Sequence, residues 1–153
     1  MKAKDIMVRD VITVSPDIEI EALCDLMQMH NIKGAPVVDG EGRLIGIVTQ
    51  DDVIYGRMGA EENVKLSRDI SELFKSGFAS LSAGELRSPR TVSTIMTSPA
   101  ISAEENTSVE ELCRTMWTLR IHRIPIVKDG RVTGIVSSMD LCKGIAEGMI
   151  RLD

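Results

Sequence analysis

The sequence predicts an α+β module made of two copies of one β-α-β-β-α unit that pack together as a single body. Three observations lead there: the chain repeats itself at a fixed spacing, the one length difference between the copies falls in a turn, and each copy is too short to bury a full core alone. Ile6-Met7 recurs as Ile95-Met96, Leu23-Cys24 as Leu112-Cys113, Met27 as Met116 and Pro36 as Pro125, all at an offset of 89 residues. Val37-Val38 is answered by Ile126-Val127. Gly46-Ile47-Val48-Thr49 is then answered by Gly134-Ile135-Val136-Ser137 at an offset of 88. The missing residue lies between Asp39-Gly40-Glu41-Gly42 in the first copy and Lys128-Asp129-Gly130-Arg131 in the second. Asp-Gly favours a two-residue hairpin turn, and a turn absorbs an extra residue where a strand would flip its side chains. About sixty residues per copy make a marginal core, so the two copies are expected to pack on each other.

Each copy reads in the same order. A short β-rich run comes first, Val11–Val14 or Ala100–Ser102. A helix follows, with Ile20, Leu23 and Met27, or Val109, Leu112 and Met116, at three- and four-residue spacing; Thr107-x-x-Glu110 reads as a capping box for the second. Two strands around the turn come next, Ala35–Val38 with Leu44–Val48 and Ile124–Val127 with Val132–Val136. A closing helix begins near Thr49 and near Ser137. Residues 55–91 fall outside the repeat. Ile70, Leu73, Phe74, Phe78 and Leu81 at helix-like spacing predict a linker helix there, before a Gly/Ser/Pro stretch reaching Ser88-Pro89.

The composition narrows the function. The chain has 153 residues, a net charge of −5, 43% hydrophobic and 3% aromatic residues, and a pI near 5.1. Little is available to neutralise phosphates or stack on bases, so nucleic acid is not an expected partner. No signal-peptide run or membrane-length apolar stretch is visible, which predicts a cytoplasmic protein without membrane insertion. Cys24, Cys113 and Cys142 form no C-x-x-C pair and are read as small buried hydrophobes, and the two histidines, His30 and His122, cannot build a metal cluster. No nucleophile with an orienting base and no paired carboxylates stand out, so no catalytic site or catalytic cofactor is expected.

A β-α-β-β-α unit with an apolar-Pro strand start, a turn, and Gly-apolar-apolar-[Ser/Thr]-x-x-Asp leading into a helix resembles the CBS (cystathionine β-synthase) domain. The likeness covers residues 5–54 and 94–143. It divides the chain into a first domain at 5–54, a linker at 55–91 and a second domain at 92–147. The resemblance implies two copies related by a pseudo-two-fold axis, with clefts between them that take AMP, ADP, ATP or another adenosyl compound. It also implies a homodimer and a regulatory role toward a protein that the sequence does not identify. A homodimer agrees with Met/Leu-rich helix faces around Met27, Met116 and Leu119. Two alternatives stay open: an interaction module without ligand, and a binder of S-adenosylmethionine or NAD.

The expected site residues follow from the motif. Thr49-x-x-Asp52 and Ser137-x-x-Asp140 sit where a strand hands over to a helix, where free N–H groups favour an anion. The resemblance gives the carboxylates to ribose hydroxyls and the Thr or Ser hydroxyl to phosphate. The same pattern forms N-terminal helix caps, a role compatible with binding. One cleft is expected to gather Ile12, Thr13, His122, Arg123, Ile124, Pro125, Ser137 and Asp140. The other is expected to gather Lys33, Ala35, Pro36, Thr49, Asp52, Thr94, Ile101 and Ser102. Residues just before each first strand, Asp5–Met7 and Thr94–Met96, are further candidates. Arg123 offers phosphate a planar donor fork where the first copy has only Lys33, and Ile124 offers an adenine wall where the first copy has Ala35. The Arg123 cleft is therefore expected to be the tighter one.

Overall fold

In the computed structural model, residues 1–57 and 91–151 are described, and the linker helix expected around Ile70–Leu81 lies outside them. The first repeat comprises helix α2 (Ile20–Met29), strands β1 (Gly34–Val38) and β2 (Leu44–Thr49), and helix α3 (Gln50–Arg57); a short helix α1 (Ala3–Ile6) precedes it. The second comprises a 3-10 turn (Val92–Thr94), β3 (Ala103–Glu104), α4 (Val109–Leu119), β4 (Arg123–Lys128), β5 (Arg131–Ser137) and α5 (Ser138–Ala146).

The helices follow their apolar spacing. Ile20, Leu23, Cys24 and Met27 are buried on α2, and Val109, Leu112 and Met116 on α4. Both helices stop in the same way. Asn31 and Arg120, equivalent positions, take the left-handed conformation at φ 51° and 55°, and the next amides, of Ile32 and Ile121, donate back to the carbonyls of Met27 and Met116. The start of α4 lies one residue later than its capping pattern suggested. Ser108, not Thr107, is the cap, its hydroxyl accepting from the Glu111 amide at 3.1 Å. Thr107 is engaged elsewhere, accepting from the Glu104 amide.

Both hairpins are antiparallel and carry a bulge at the same place, between Val37 and Val38 and between Ile126 and Val127. The second turns on Asp129-Gly130 with φ 52° and 78°, as a two-residue turn with two left-handed residues requires. In the first, Asp39 accepts from the amides of Glu41 and Arg43, and Gly42 supplies φ 79°. The expected leading strands are shorter than their β-rich runs. Only Val14 pairs with Val37 in the first repeat, and only Ala103–Glu104 pairs, in parallel, with Ile126–Val127 in the second. Ala100–Ser102 is not strand, and the residues that pair lie directly after it.

The segments ahead of the repeats are exchanged. Ala3 and Met7 are buried in the second repeat's core with Leu112, Met116, Ile126 and Val136. Val92 is buried in the first repeat's core with Leu23, Met27, Val37 and Val48, and Met96 packs against it. The backbone contacts match pair for pair: Lys2 bridges Ser108 as Thr91 bridges Glu19, and Val8 bridges Ile135 as Thr97 bridges Ile47. Glycine makes the approach possible. A Cβ on Gly46 would lie 2.9 Å from both Met96 Sδ and the Thr97 carbonyl, and one on Gly134 would collide with Met7. Two equivalent pairs also meet each other, Arg43 with Arg131 across a backbone bridge and Gly34 with Arg123 in side-chain contact range. Equivalent residues can meet only on the axis relating the copies, so these pairs mark a pseudo-two-fold axis.

Of the three cysteines only Cys24 is buried, while Cys113 and Cys142 are exposed, which corrects their reading as core residues. Met27 and Met116 are likewise core residues rather than surface ones. The apolar surface of their helices is carried instead by Met29, Trp117 and Leu119, at 78%, 71% and 50% exposure. Arg120 stacks over the Trp117 ring at 4.6 Å. Among the described residues no helix is long and apolar enough to cross a membrane.

Candidate functional site

The strand-to-helix corners form the same hydrogen-bonded box twice. The Thr49 amide and hydroxyl donate to Asp52 Oδ2 at 2.7 and 2.9 Å, and the Asp52 amide donates back to Thr49 Oγ1 at 3.3 Å. In the second copy the Ser137 amide and hydroxyl donate to Asp140 Oδ2 at 2.7 and 2.6 Å, with the Asp140 amide returning to Ser137 Oγ at 3.3 Å. The capping role is thus realised at both motifs. It engages one carboxylate oxygen of each aspartate, and Oδ1 takes no part in the box.

A cavity of about 710 Å³ lies between the repeats and brings the two corners together. Its walls include Ile12, Lys33, Pro36, Thr49, His122, Arg123, Ser137 and Asp140 of the expected residues. Lys33 and Thr49 therefore share one cavity with the residues assigned to the other cleft, and the two expected sets are not kept apart. Thr13, Asp52, Thr94, Ile101 and Ser102 are not among its walls. Thr94 donates its hydroxyl to the Thr91 carbonyl, and Ser102 borders a separate cavity of about 250 Å³ with Glu104, Thr107 and Glu111. Ala35, Ile124 and Pro125 are fully buried and are not among the walls of the large cavity; Ile124 borders the smaller cavity beside Ser102. Of the residues before the first strands, Met7 and Met96 pack over Gly134 and Gly46.

Sequence reasoning missed several walls: Val8, Asp10 and Val11 on the entering chain, Asn31 after α2, and Gln50, Asp51, Ser138 and Met139 at the helix starts. The last four follow directly from the motif, as the residues between its Ser/Thr and its Asp. Val8, Asp10 and Val11 carry no local signal, because the exchange of the leading segments brings them there.

Arg123 is the charge that organises the cavity. It begins β4 in the second repeat, yet its guanidinium reaches the first and donates to the Lys33 carbonyl at 3.1 Å. It lies over Gly34, where a Cβ would sit 2.8 Å from its Nη1 and 3.0 Å from its Cδ. Burial pulls its pKa below the ordinary arginine value, and Asp51 and Asp52 act in the opposite direction. The Asp52 carboxyl is raised by burial, against the hydrogen bonds from Thr49 and the charge of Arg123. Lys33 and His122 otherwise play equivalent backbone roles, their carbonyls accepting from the first amides of α3 and α5, of Gln50 at 3.1 Å and Ser138 at 2.9 Å. Among the described residues no group of three or more His, Cys, Asp or Glu is arranged to hold a metal ion.

The fold and its repeat have close parallels. The chain is similar to the CBS domain pair of protein MJ0100, determined in complex with 5′-methylthioadenosine and S-adenosyl-L-methionine: TM-score 0.70, 27% identity, covering 97% of this chain and 98% of that one. It is 30% identical over 138 residues to the CBS domain-containing protein YhcV of Bacillus subtilis, which covers 90% of this chain and 81% of that protein. It is 32% identical over 143 residues to inosine-5′-monophosphate dehydrogenase of Methanocaldococcus jannaschii, covering 93% of this chain but only 23% of the enzyme. The chain thus spans about a quarter of the length of that dehydrogenase. The model of the CBS domain matches twice, at residues 3–59 and 92–147. With both copies matched and the paired fold reproduced, the chain belongs to the CBS domain family, as a tandem pair.

Proposed function

We propose that the chain is a non-catalytic regulatory module that binds an adenosine-containing ligand, an adenine nucleotide in the first instance, in the cavity between its repeats, and that it works as a homodimer. The carrying observation is the 710 Å³ cavity into which Thr49, Ser137, Asp140, Lys33, His122 and Arg123 converge from both copies. Its size falls within the range of about 300–1,000 Å³ usual for small-molecule sites. Asp140 suits a ribose diol, Val8, Ile12 and Ile135 suit a purine face, and the basic residues suit an anionic tail. The adenosyl ligands of the MJ0100 pair support the same class. The exposed Met29, Trp117 and Leu119 give a second copy an apolar face to cover.

Native mass spectrometry of protein purified from cells, followed by calorimetry with AMP, ATP, S-adenosylmethionine and methylthioadenosine, tests the reading. A dimer carrying an adenosyl mass is expected. Saturation at a hundred times Kd should stabilise the fold by about 2.7 kcal/mol. Asp140→Ala should weaken binding roughly tenfold by removing a charged ribose acceptor, and Asp52→Ala, outside the cavity walls, should spare it. Each change also removes a cap worth about 1 kcal/mol, so unfolding is measured alongside. Absence of binding to all four compounds would refute the proposal, and a monomer would remove its assembly.

A further inference from the structure

The smaller cavity, of about 250 Å³, lies within the second repeat, between the first half of α4 and the strands β3 and β4. It shares no wall with the cavity between the repeats, so an occupant here is independent of the adenosyl reading. Thr107, Glu111 and Thr115 line it at four-residue spacing along α4 and its approach, and Ser102 and Glu104 line it from β3 and the residue before. The duplicated fold shows the same place with other side chains. At the offset of 89, Thr107, Glu111 and Thr115 correspond to Ile18, Ala22 and Leu26, and Ile18 and Leu26 pack against the first core. One backbone plan thus carries an apolar line in one copy and a polar line in the other. Packing does not account for the change, since a threonine in place of isoleucine or leucine gives up apolar burial. A glutamate in the first turn of a helix suits the helix dipole, but Glu110 already stands there, and the dipole explains neither threonine.

The hydrogen-bond inventory of the walls selects a ligand class. Carboxylates only accept, hydroxyls accept as well as donate, and among the described residues no lysine, arginine, asparagine or glutamine borders the cavity. Thr107 Oγ1 accepts from the Glu104 amide at 3.1 Å. Among the described residues no hydrogen bond or ion pair engages the carboxylates of Glu104 and Glu111 or the hydroxyls of Ser102 and Thr115. The complement of such walls is a group that brings donors and positive charge, and an ammonium has three donors and no acceptor. Leu112, Ile124 and Val127 add apolar wall, which suits a hydrocarbon body rather than a bare metal ion. The volume equals the share of about eight water molecules, below the range of about 300–1,000 Å³ usual for sites of drug-sized ligands. We propose that this cavity is a second binding site, for a small alkylammonium compound: Glu111 and Glu104 hold the ammonium, the Ser102 and Thr115 hydroxyls complete its hydrogen bonds, and Leu112 and Val127 meet the hydrocarbon.

An NMR titration of the full chain, labelled with nitrogen-15, tests the assignment with putrescine as the probe and calcium chloride as the metal comparison, at about 0.15 M salt to screen loose surface attraction. Amide shifts that saturate and stay confined to the surroundings of Glu104, Glu111 and Thr115 are expected, with a Kd on the order of a millimolar for so small a ligand. Glu111→Ala, which installs the first repeat's residue, should weaken binding about tenfold by removing a charge-assisted acceptor. Thr115→Leu restores the first repeat's packing, so it should abolish the saturable shifts and raise the unfolding temperature; it serves as the second variant if Glu111→Ala does not fold. Shifts spread over every acidic surface, tighter saturation of these amides by calcium than by putrescine, putrescine binding unchanged in both variants, or no saturation at about fifty times the expected Kd would each overturn the proposal.

Discussion

The first and second repeats share a backbone plan down to the bulge in each hairpin and the left-handed residue after each long helix, yet they differ at three positions where the physics is local. The start of α4 has a serine cap, Ser108, while the equivalent residue at the start of α2 is Glu19, whose side chain makes no cap bond. The hairpin tip needs Gly42 in one copy and Asp129-Gly130 in the other. At the axis, Arg123 faces Gly34. The shared features are those both cores require, because each core is completed by the other copy's leading segment. The differing ones lie at helix starts, at the tip and on the axis, where a change in one copy does not have to be mirrored. A duplicated fold can in this way keep its stability symmetric while its cavity becomes polarised.

The largest expected effect tests the symmetric half of that comparison. Leu23 and Leu112 are equivalent and essentially fully buried. Leu23→Ala and Leu112→Ala should each destabilise by about 3 kcal/mol through lost burial and the cavity left behind. Since α1 completes the second core and Val92 the first, either variant should still unfold in a single transition in urea. Two separate transitions, or costs that differ more than about twofold, would show that the exchanged segments do not couple the cores.

A smaller effect is expected at the helix starts. Ser108→Ala should cost about 1 kcal/mol, and Glu19→Ser, which gives α2 the cap that α4 already has, should gain about half that. Thermal denaturation reads both. Equal and negligible shifts would mean that the two starts are energetically alike despite Ser108's bond to the Glu111 amide at 3.1 Å.

Much of this architecture is legible in the sequence because its signals are local. The offset of 89, the Asp129-Gly130 turn and the apolar spacing of Leu23 and Met27 each depend on a few neighbouring residues. The motif Ser137-x-x-Asp140 is legible for the same reason. The start of α4 is read one residue early from Thr107-x-x-Glu110; Ser108 is the cap, and Thr107 instead accepts from the Glu104 amide in the preceding turn. The exchange of leading segments is long-range, and so Val8, Asp10 and Val11 as cavity walls, and the joining of two expected clefts in one cavity, could not be read from spacing. Arg123 is expected from the sequence to meet a phosphate, but its partner within the fold is not readable there. Only the fold brings a residue of β4 over the Lys33 carbonyl ninety positions earlier.

The smallest effect concerns Asp52, which sits beside Arg123 but outside the cavity walls and so separates stability from binding. Burial is the largest influence on its carboxyl and raises its pKa above 3.8; the Thr49 hydrogen bonds and Arg123 oppose that rise, and Asp51 adds to it. A carboxyl whose pKa is higher folded than unfolded holds its proton more tightly in the fold. Its contribution to stability is therefore fully present below the unfolded value and is lost as pH rises through the folded one. Relative to Asp52→Asn, which has no proton to lose, the wild type should become progressively less stable as pH rises through a window that opens near the ordinary aspartate value of about 3.9. Urea denaturation across that window reads the difference. Arg123→Gln removes an opposing charge and should widen the loss, provided Asp52 is present; in the Asp52→Asn background it should not. A wild type that instead gains stability over Asp52→Asn as pH rises would mean that the Thr49 box and Arg123 outweigh burial, and that the first repeat's corner is built to hold a charged aspartate.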